Sequence, residues 1–314
     1  MQFRLAHISD IHLGPLPRVR RSELFSKRIT GYINFRRNRS RADQPQITAH
    51  IVDFLAGLKP DHTAITGDLI NLGLDLEIEN ARNWLAELGR PRDNTVILGN
   101  HDAYVRGARA RALAAWQQWV TGDDGATIAD AGDYPVVRRR GDVSIIGCNS
   151  ARASIPFLAT GYFHKDQADR LRQVLDAEHA RHRATVVLIH HPPFPRATAR
   201  HKRLIGLSNF TRVIRDCGAG LILHGHTHLA TETWLDGPGY KVPVIGVPAA
   251  YQWPGYRKPP AGINLFTFDF ARDQVTLRLE RYGYRGEAGN GPDNRILPVE
   301  EKVLVGGRSL TAAG

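Results

Sequence analysis

Five short clusters of acidic, amide and imidazole side chains carry the chemistry open to this sequence. They are Asp10-Ile11-His12, Gly67-Asp68, Gly99-Asn100-His101-Asp102, His190-His191 and His224-Gly225-His226-Thr227-His228. Together they offer oxygen and nitrogen donors and no sulfur, a set that suits hard and borderline divalent metals such as Mn, Fe and Zn. Asp10 and His12 stand two residues apart, as do His226 and His228. On a strand that extends so far, both members of each pair leave the same face. Gly67, Gly99 and Gly225 directly precede Asp68, Asn100 and His226, and glycine permits tight turns with close approach of backbone to ligand. Singly, each cluster is weak: a surface turn accounts for Asp-x-His, and Gly-Asp after a strand is common. All five, each following an apolar run, are much harder to read as ordinary loops.

Those apolar runs are the elements that must position the clusters. Phe3–Ser9, Thr63–Thr66, Thr95–Leu98, Val143–Cys148, Thr185–Ile189 and Leu221–Leu223 are short and aliphatic or β-branched, as expected of strands buried on both faces. Helical spacing falls between them, over Ile47–Leu58, Asp166–His182 and Ser208–Asp216, the last with Ser208 as its N-cap. Alternation of strand and helix predicts an α/β layered domain, in which ligands bind beyond the carboxyl ends of the strands. Later strands without helices, Lys241–Val247, Ile263–Phe268 and Val275–Leu279, predict a second, more antiparallel sheet. The expected organisation is one domain over residues 1–283, with a basic insertion at 18–41 and a Gly-rich, loosely ordered tail at 284–314.

The clusters, in this order, resemble the five blocks of the calcineurin-like metallophosphoesterase superfamily, D-x-H, G-D, G-N-H-[DE], H and G-H-x-H. No block is missing between residues 10 and 228. The resemblance implies a four-layer α/β/β/α sandwich with two mixed sheets and a metal site at the carboxyl ends of the strands. It further implies that Asp10, His12 and His228 bind one metal, that Asn100, His190 and His226 bind the second, and that Asp68 bridges them. His190 rather than His191 is the ligand the family pattern suggests, though the two histidines are adjacent.

Two cations about 3.5–4 Å apart lower the pKa of a bridging water and clamp phosphoryl oxygens for in-line attack on phosphorus. The leaving alkoxide then needs a proton, which a positioned histidine can supply. His101 is the candidate, with Asp102 expected to fix its tautomer and raise its pKa. His7 and His224 read as packed or supporting residues, and His50, His62, His164, His179 and His182 as surface or structural ones.

Charge locates the substrate problem. The net charge is +11, and Arg18–Arg41 holds nine Lys/Arg against one acid, Glu23, so that +8 of it is local. Phe25, Ile29 and Ile33 fall four apart in that segment, which reads as a basic amphipathic helix able to lie on an anionic membrane surface. Arg20, Arg21, Lys27, Arg28, Arg36 and Arg37, with His201 from a later loop, are the candidate substrate or membrane contacts. The opposing reading is a helix that packs its apolar face on the domain and shows solvent its charges. Nucleic acid is the less favoured anionic partner. No apolar run reaches the roughly 20 residues of a spanning helix. The first strand begins at once, so no signal peptide is expected. Cys148 and Cys217 lie in apolar stretches and read as buried thiols, and a cytoplasmic location follows.

A phosphodiesterase is therefore the expected function. The alternative is a membrane-associated pyrophosphatase of a nucleotide-linked lipid, similar to the UDP-diacylglucosamine hydrolases. A non-catalytic metal-binding scaffold is disfavoured, because every ligand position is filled.

Overall fold

The computed structural model describes residues 1–38, 44–254, 258–272, 274–285 and 295–309. In chain order the first elements are β1 (Gln2–Ile8), α1 (Arg28–Asn38), α2 (Gln44–Leu58), β2 (His62–Ile65), α3 (Asp75–Glu87), β3 (Asn94–Val96), α4 (Ala108–Ala115) and α5 (Gln117–Val120). Next come β4 (Val136–Arg140), β5 (Val143–Gly147), β6 (Gly161–Tyr162), α6 (Lys165–His179), β7 (Ala184–Leu188), β8 (Leu204–Ile205), α7 (Leu207–Cys217) and β9 (Leu221–His224). The chain continues through β10 (Glu232–Asp236), β11 (Lys241–Gly246), β12 (Gly262–Ala271), β13 (Gln274–Arg285) and β14 (Arg295–Ser309).

Two six-stranded sheets form, in the orders β14-β13-β12-β1-β2-β3 and β10-β11-β9-β7-β5-β4. Both are mixed: β1, β2 and β3 run parallel while β12 to β14 are antiparallel, and β5, β7, β9 and β11 run parallel between antiparallel β4 and β10. Three apolar cores make four layers. Leu5, Ala64, Ile97 and Phe266 of one sheet meet Val143, Val186 and Leu221 of the other. Ile51 and Leu55 of α2 and Ile78 and Leu85 of α3 cover the first sheet at Ile8, Ile65 and Val96. Leu171 and Leu175 of α6 with Phe210 and Ile214 of α7 cover the second at Ile146, Val187 and Ile222. Strands buried on both faces explain the unbroken apolar runs in the sequence.

Four expectations need correction. The late strands build no sheet of their own: β11 joins β9 in parallel, whereas β12 pairs with β1 from Gln2↔Asp269 to His7↔Asn264 and so widens the first sheet. Of the tail expected to be loose, residues 295–309 form β14, paired along β13 from Arg285↔Arg295 to Gln274↔Ser309; 286–294 and 310–314 lie outside the described residues. Helix α7 opens at Leu207 behind Gly206, which puts Ser208 inside the first turn. Cys148 is buried as expected, but Cys217 only partly so.

One buried acid ties the second sheet to its helix. Glu178 of α6 accepts from Ser144 Oγ of β5 at 2.6 Å and pairs with Arg139 of β4 at 2.7 Å and with Arg183 at 3.3 Å. Burial pushes its carboxyl up, but these donors, Arg139 foremost, outweigh that and hold it down to about 2. A depressed carboxyl stabilises the fold above its unfolded value, and that stability is lost as pH falls through the folded value. Glu178→Gln is therefore expected to be less stable than the parent chain at neutral pH. The gap should close between pH 4.5 and about 2, as denaturant melts across that window would show; a gap that stays constant with pH would refute the assignment.

Candidate metal centre

The clusters gather where β1, β2, β3, β7 and β9 end. β1 stops at Ile8, so Asp10 and His12 do not share a strand face as their spacing suggests. They lie in the following loop, which is pinned beside β2's exit by Asp10 N→Gly67 O at 2.9 Å and His12 N→Asp68 O at 2.9 Å. Left-handed backbone does the aiming instead: φ is 53° at Asp10, 43° at His12, 57° at Asp68, 67° at His226 and 58° at His228. Non-glycine residues seldom adopt this region, and such strain concentrates at functional sites.

Backbone carbonyls orient most of the imidazoles. Ile70 O takes His12 Nδ1 at 3.1 Å, Thr66 O takes His190 Nδ1 at 2.7 Å, and Lys202 O takes His226 Nε2 at 3.0 Å. His190 Nε2 then stands 3.2 Å from Asn100 Oδ1 and 3.5 Å from Asp68 Oδ2. His12 Nε2 lies 3.7 Å from the same carboxylate oxygen, and His228 Nε2 lies 3.1 Å from Asp10 Oδ1. Both nitrogens of the neighbouring His191 are engaged, Nδ1 with Ser150 Oγ at 2.8 Å and Nε2 with Ala159 O at 3.2 Å. His190 and His191 both stand with His226 inside 4.8 Å, and His190 is the one whose Nε2 also faces Asn100 and Asp68. A side chain at Gly99 would fall on the Asp68 carboxylate, so only glycine lets the two strand ends meet there.

His101 and Asp102 do not form the expected couple. His101 Nδ1 donates to Asn71 O at 2.6 Å, and its own backbone N–H donates to Asp68 Oδ1 at 2.7 Å. The Asp102 carboxylate turns the other way and accepts from the backbone of Asp68 at 2.8 Å, Leu69 at 2.9 Å, Ile70 at 3.3 Å and Gly99 at 2.8 Å. It staples the loop after β2 to the loop after β3. Burial and then the charge of Asp68 push Asp102 up to about 7, against the pull of the backbone donors of Gly99 and Ile70.

The donor set fits divalent cations. Asp10 and Asp68 are buried, and one oxygen of each lies with a His190 nitrogen inside 4.8 Å; Asp10, His12 and His228 make a second such group. Two buried carboxylates this close demand positive charge. The field is visible at His190: burial pulls its pKa down, but Asp68 and Asp10 outweigh this and hold it up at about 9.

A cleft of about 550 Å³ opens over the cluster, lined by Asp68, Asn100, His101, His226 and His228 on its floor and by Lys27, His201, Lys202 and Lys258 among others. Lys27 Nζ donates to Ser154 Oγ at 2.7 Å and Leu158 O at 2.8 Å, and sits 4.6 Å over the Tyr104 ring. Burial pulls its ammonium down to about 8 against the opposing pull of Asp68. Of the other basic candidates, Arg28 is turned away, its guanidinium donating to Leu72 O at 3.0 Å and Gly73 O at 2.6 Å. Arg20, Arg21 and Arg36 are exposed and do not line the cleft, and the side chain of Arg37 lies outside the described residues.

The family model of the calcineurin-like phosphoesterases matches residues 3–230, most of the chain. The chain belongs to that family. A dimetal phosphatase from Danio rerio shares the fold of this calcineurin-like phosphoesterase at a TM-score of 0.54 and 15% identity, over 88% of this chain and 95% of that one. Zinc-complexed Vps29 from Entamoeba histolytica is more distant, with a TM-score of 0.42 and 12% identity over 96% and 99% of the two chains. No curated protein matches. Two divalent ions are the cofactor of this calcineurin-like phosphoesterase, and the carboxylate and imidazole groups described above are the donors available for them.

Sequence reasoning missed Asn71, whose carbonyl aims His101, because a backbone acceptor leaves no trace in residue type. It also missed Tyr251, packed edge-on at 5.2 Å from His12 and 5.8 Å from His228, and Lys258, whose Nζ donates to Thr227 O at 2.7 Å. His224 and His7 form a second layer: His224 Nε2 meets Thr231 Oγ1 at 3.0 Å, and His7 Nε2 meets Thr66 Oγ1 at 2.9 Å.

Proposed function

We propose that this calcineurin-like phosphoesterase hydrolyses phosphodiesters. The observation that carries the reading is the lysine-rimmed cleft set directly over the buried Asp/His cluster. Asp10, His12 and His228 would hold one divalent ion and Asn100, His190 and His226 the other, with Asp68 shared. When bound, two such ions supply Lewis acidity toward phosphoryl oxygen and activate water at neutral pH.

The chain's own groups do the rest. Lys27, Lys202 and Lys258 face an anionic ester across the cleft and favour its entry. His101 sits on the floor with Nδ1 committed to Asn71 O, so Nε2 is the nitrogen able to pass a proton to a departing alkoxide. Asp102 acts at one remove, by holding the loops that carry Asp68 and Asn100. The cleft of about 550 Å³ is partly apolar, with Ile33, Phe157 and Leu158 in its walls, room that a second ester group uses and a simple monoester does not. A nucleotide-linked lipid pyrophosphate is the second reading, favoured by that same apolar wall.

The test is metal analysis joined to a substrate panel. About two transition-metal ions per chain are expected. With manganese added, bis-(p-nitrophenyl) phosphate should be turned over faster than p-nitrophenyl phosphate, with cyclic nucleotides and a nucleotide-linked lipid run alongside. A metal-free preparation with full activity would refute the metal reading, and a preference for the monoester would refute the diester assignment.

A further inference from the structure

The basic insertion is not the one amphipathic helix expected. A short turn at Arg21–Leu24 precedes α1, which begins only at Arg28. Phe25 therefore lies outside the helix that carries Ile29 and Ile33, yet all three point outward. Phe25 is 89% exposed, Ile29 49% and Ile33 44%. This is no loosely attached helix that has rolled over. Arg28 is bonded to the carbonyls of Leu72 and Gly73, Phe35 is buried, and a side chain at Gly31 would collide with Tyr104 and Leu72. These contacts fix the rotation of α1, so exposure of its opposite face is imposed by the fold.

A second segment meets it. Lys27 ties α1's entry to the loop after β5 through Ser154 and Leu158, and that loop lifts Ile155, 69% exposed, and Phe157, 80% exposed, into solvent. Phe157 is also held at φ 67°, a conformation that a bulky residue adopts at a cost and here without packing to offset it. Ile33 and Phe157 both line the cleft. Large apolar side chains exposed together on two segments that Lys27 ties at the cleft mark a contact surface.

The charge around the rim selects the occupant. Arg20, Arg21 and Arg36 of the insertion are exposed, as are Arg200, His201, Lys202 and Arg203 before β8, of which His201 and Lys202 line the cleft. Apolar side chains ringed by long cationic ones match a bilayer, with rings and aliphatic groups among the acyl chains and cations at the headgroups. A second copy of this chain would bring the exposed Arg20, Arg21 and Arg36 of both copies together. Like charge opposes that pairing.

We infer that the cleft mouth docks on an anionic lipid bilayer through Phe25, Ile29, Ile33, Ile155 and Phe157. Its substrate is then an amphiphilic phosphate ester presented at that surface. The substrate half rests on the phosphoester reading, whereas docking stands independently of it.

The experiment is co-sedimentation of the full chain with vesicles of phosphatidylcholine alone or mixed with phosphatidylglycerol, beside turnover of soluble bis-(p-nitrophenyl) phosphate with manganese. Wild type should sediment with the mixed vesicles and stay in solution with the neutral ones. Phe25→Ser/Ile29→Ser, which alters only exposed residues outside the cleft lining, should bind the mixed vesicles about tenfold or more weakly and turn over the soluble ester unchanged. Wild type left in solution by anionic vesicles, or a double variant that binds as wild type does, overturns docking. So does a concentration-dependent dimer, seen by sedimentation velocity, that the double variant loses. Vesicle binding without turnover of the soluble ester supports docking and sinks the phosphoester reading alone.

Discussion

Asp68→Asn is expected to lower phosphoester turnover on the order of a thousandfold while leaving the fold in place. The side chain is buried at the centre of the cluster, with Oδ2 facing both His12 and His190 and Oδ1 accepting the His101 N–H at 2.7 Å. An asparagine keeps the Oδ1 acceptor, and with it the loop geometry. It removes the negative charge that two ions would share. Bound metal should fall together with kcat, while the circular dichroism spectrum and denaturant midpoint stay near those of the parent. Turnover within a few-fold of wild type would rule out a shared ligand at this position.

Asp102→Ala should fail in a different way. Its carboxylate is the acceptor for the backbone N–H groups of Asp68, Leu69, Ile70 and Gly99, all buried. Each buried donor left without an acceptor costs about 1–3 kcal/mol. Partial relaxation of the two loops brings the expected loss of folding stability to about 3–5 kcal/mol. Activity is lost too, through displacement of Asp68 and Asn100 rather than through His101. His101→Gln provides the contrast: turnover drops while the denaturant midpoint barely moves. If Asp102→Ala melted like the parent and merely shifted the pH profile of His101, the expected Asp102–His101 couple would be reinstated.

Much of this was legible in the chain itself. The buried central strands announce themselves as apolar runs, and the five polar clusters stand where those runs stop. Helices α3, α4 and α5 were missed, α3 despite its helical spacing of Ile78, Ala81, Trp84 and Leu85, and the missed strands are ones that environment rather than composition makes. β4 is Val-Val-Arg-Arg-Arg, yet Arg138 buries its guanidinium on the carbonyls of Pro91, Asn94, Gln118 and Thr121. β10 is half exposed at the edge of its sheet, and β14 carries Pro298, Gly306 and Gly307. Neighbours in sequence were also a poor guide to neighbours in space. His101 and Asp102 are consecutive, and the tight turn that carries them sends the two side chains to opposite sides of the same loop. Which face of α1 would be covered was beyond reach as well, since Arg28 decides it by bonding to carbonyls more than forty residues away.

The left-handed backbone at Asp10, His12, Asp68, His226 and His228 bears on how this sequence can drift. At each of these positions glycine would relieve strain of about 1 kcal/mol, so folding alone rewards replacement of the residues that matter most. Selection for heat tolerance that ignores catalysis should erase the site first, at these five positions, and return a sturdier, inert protein. Lineages that keep all five record an uninterrupted demand for turnover.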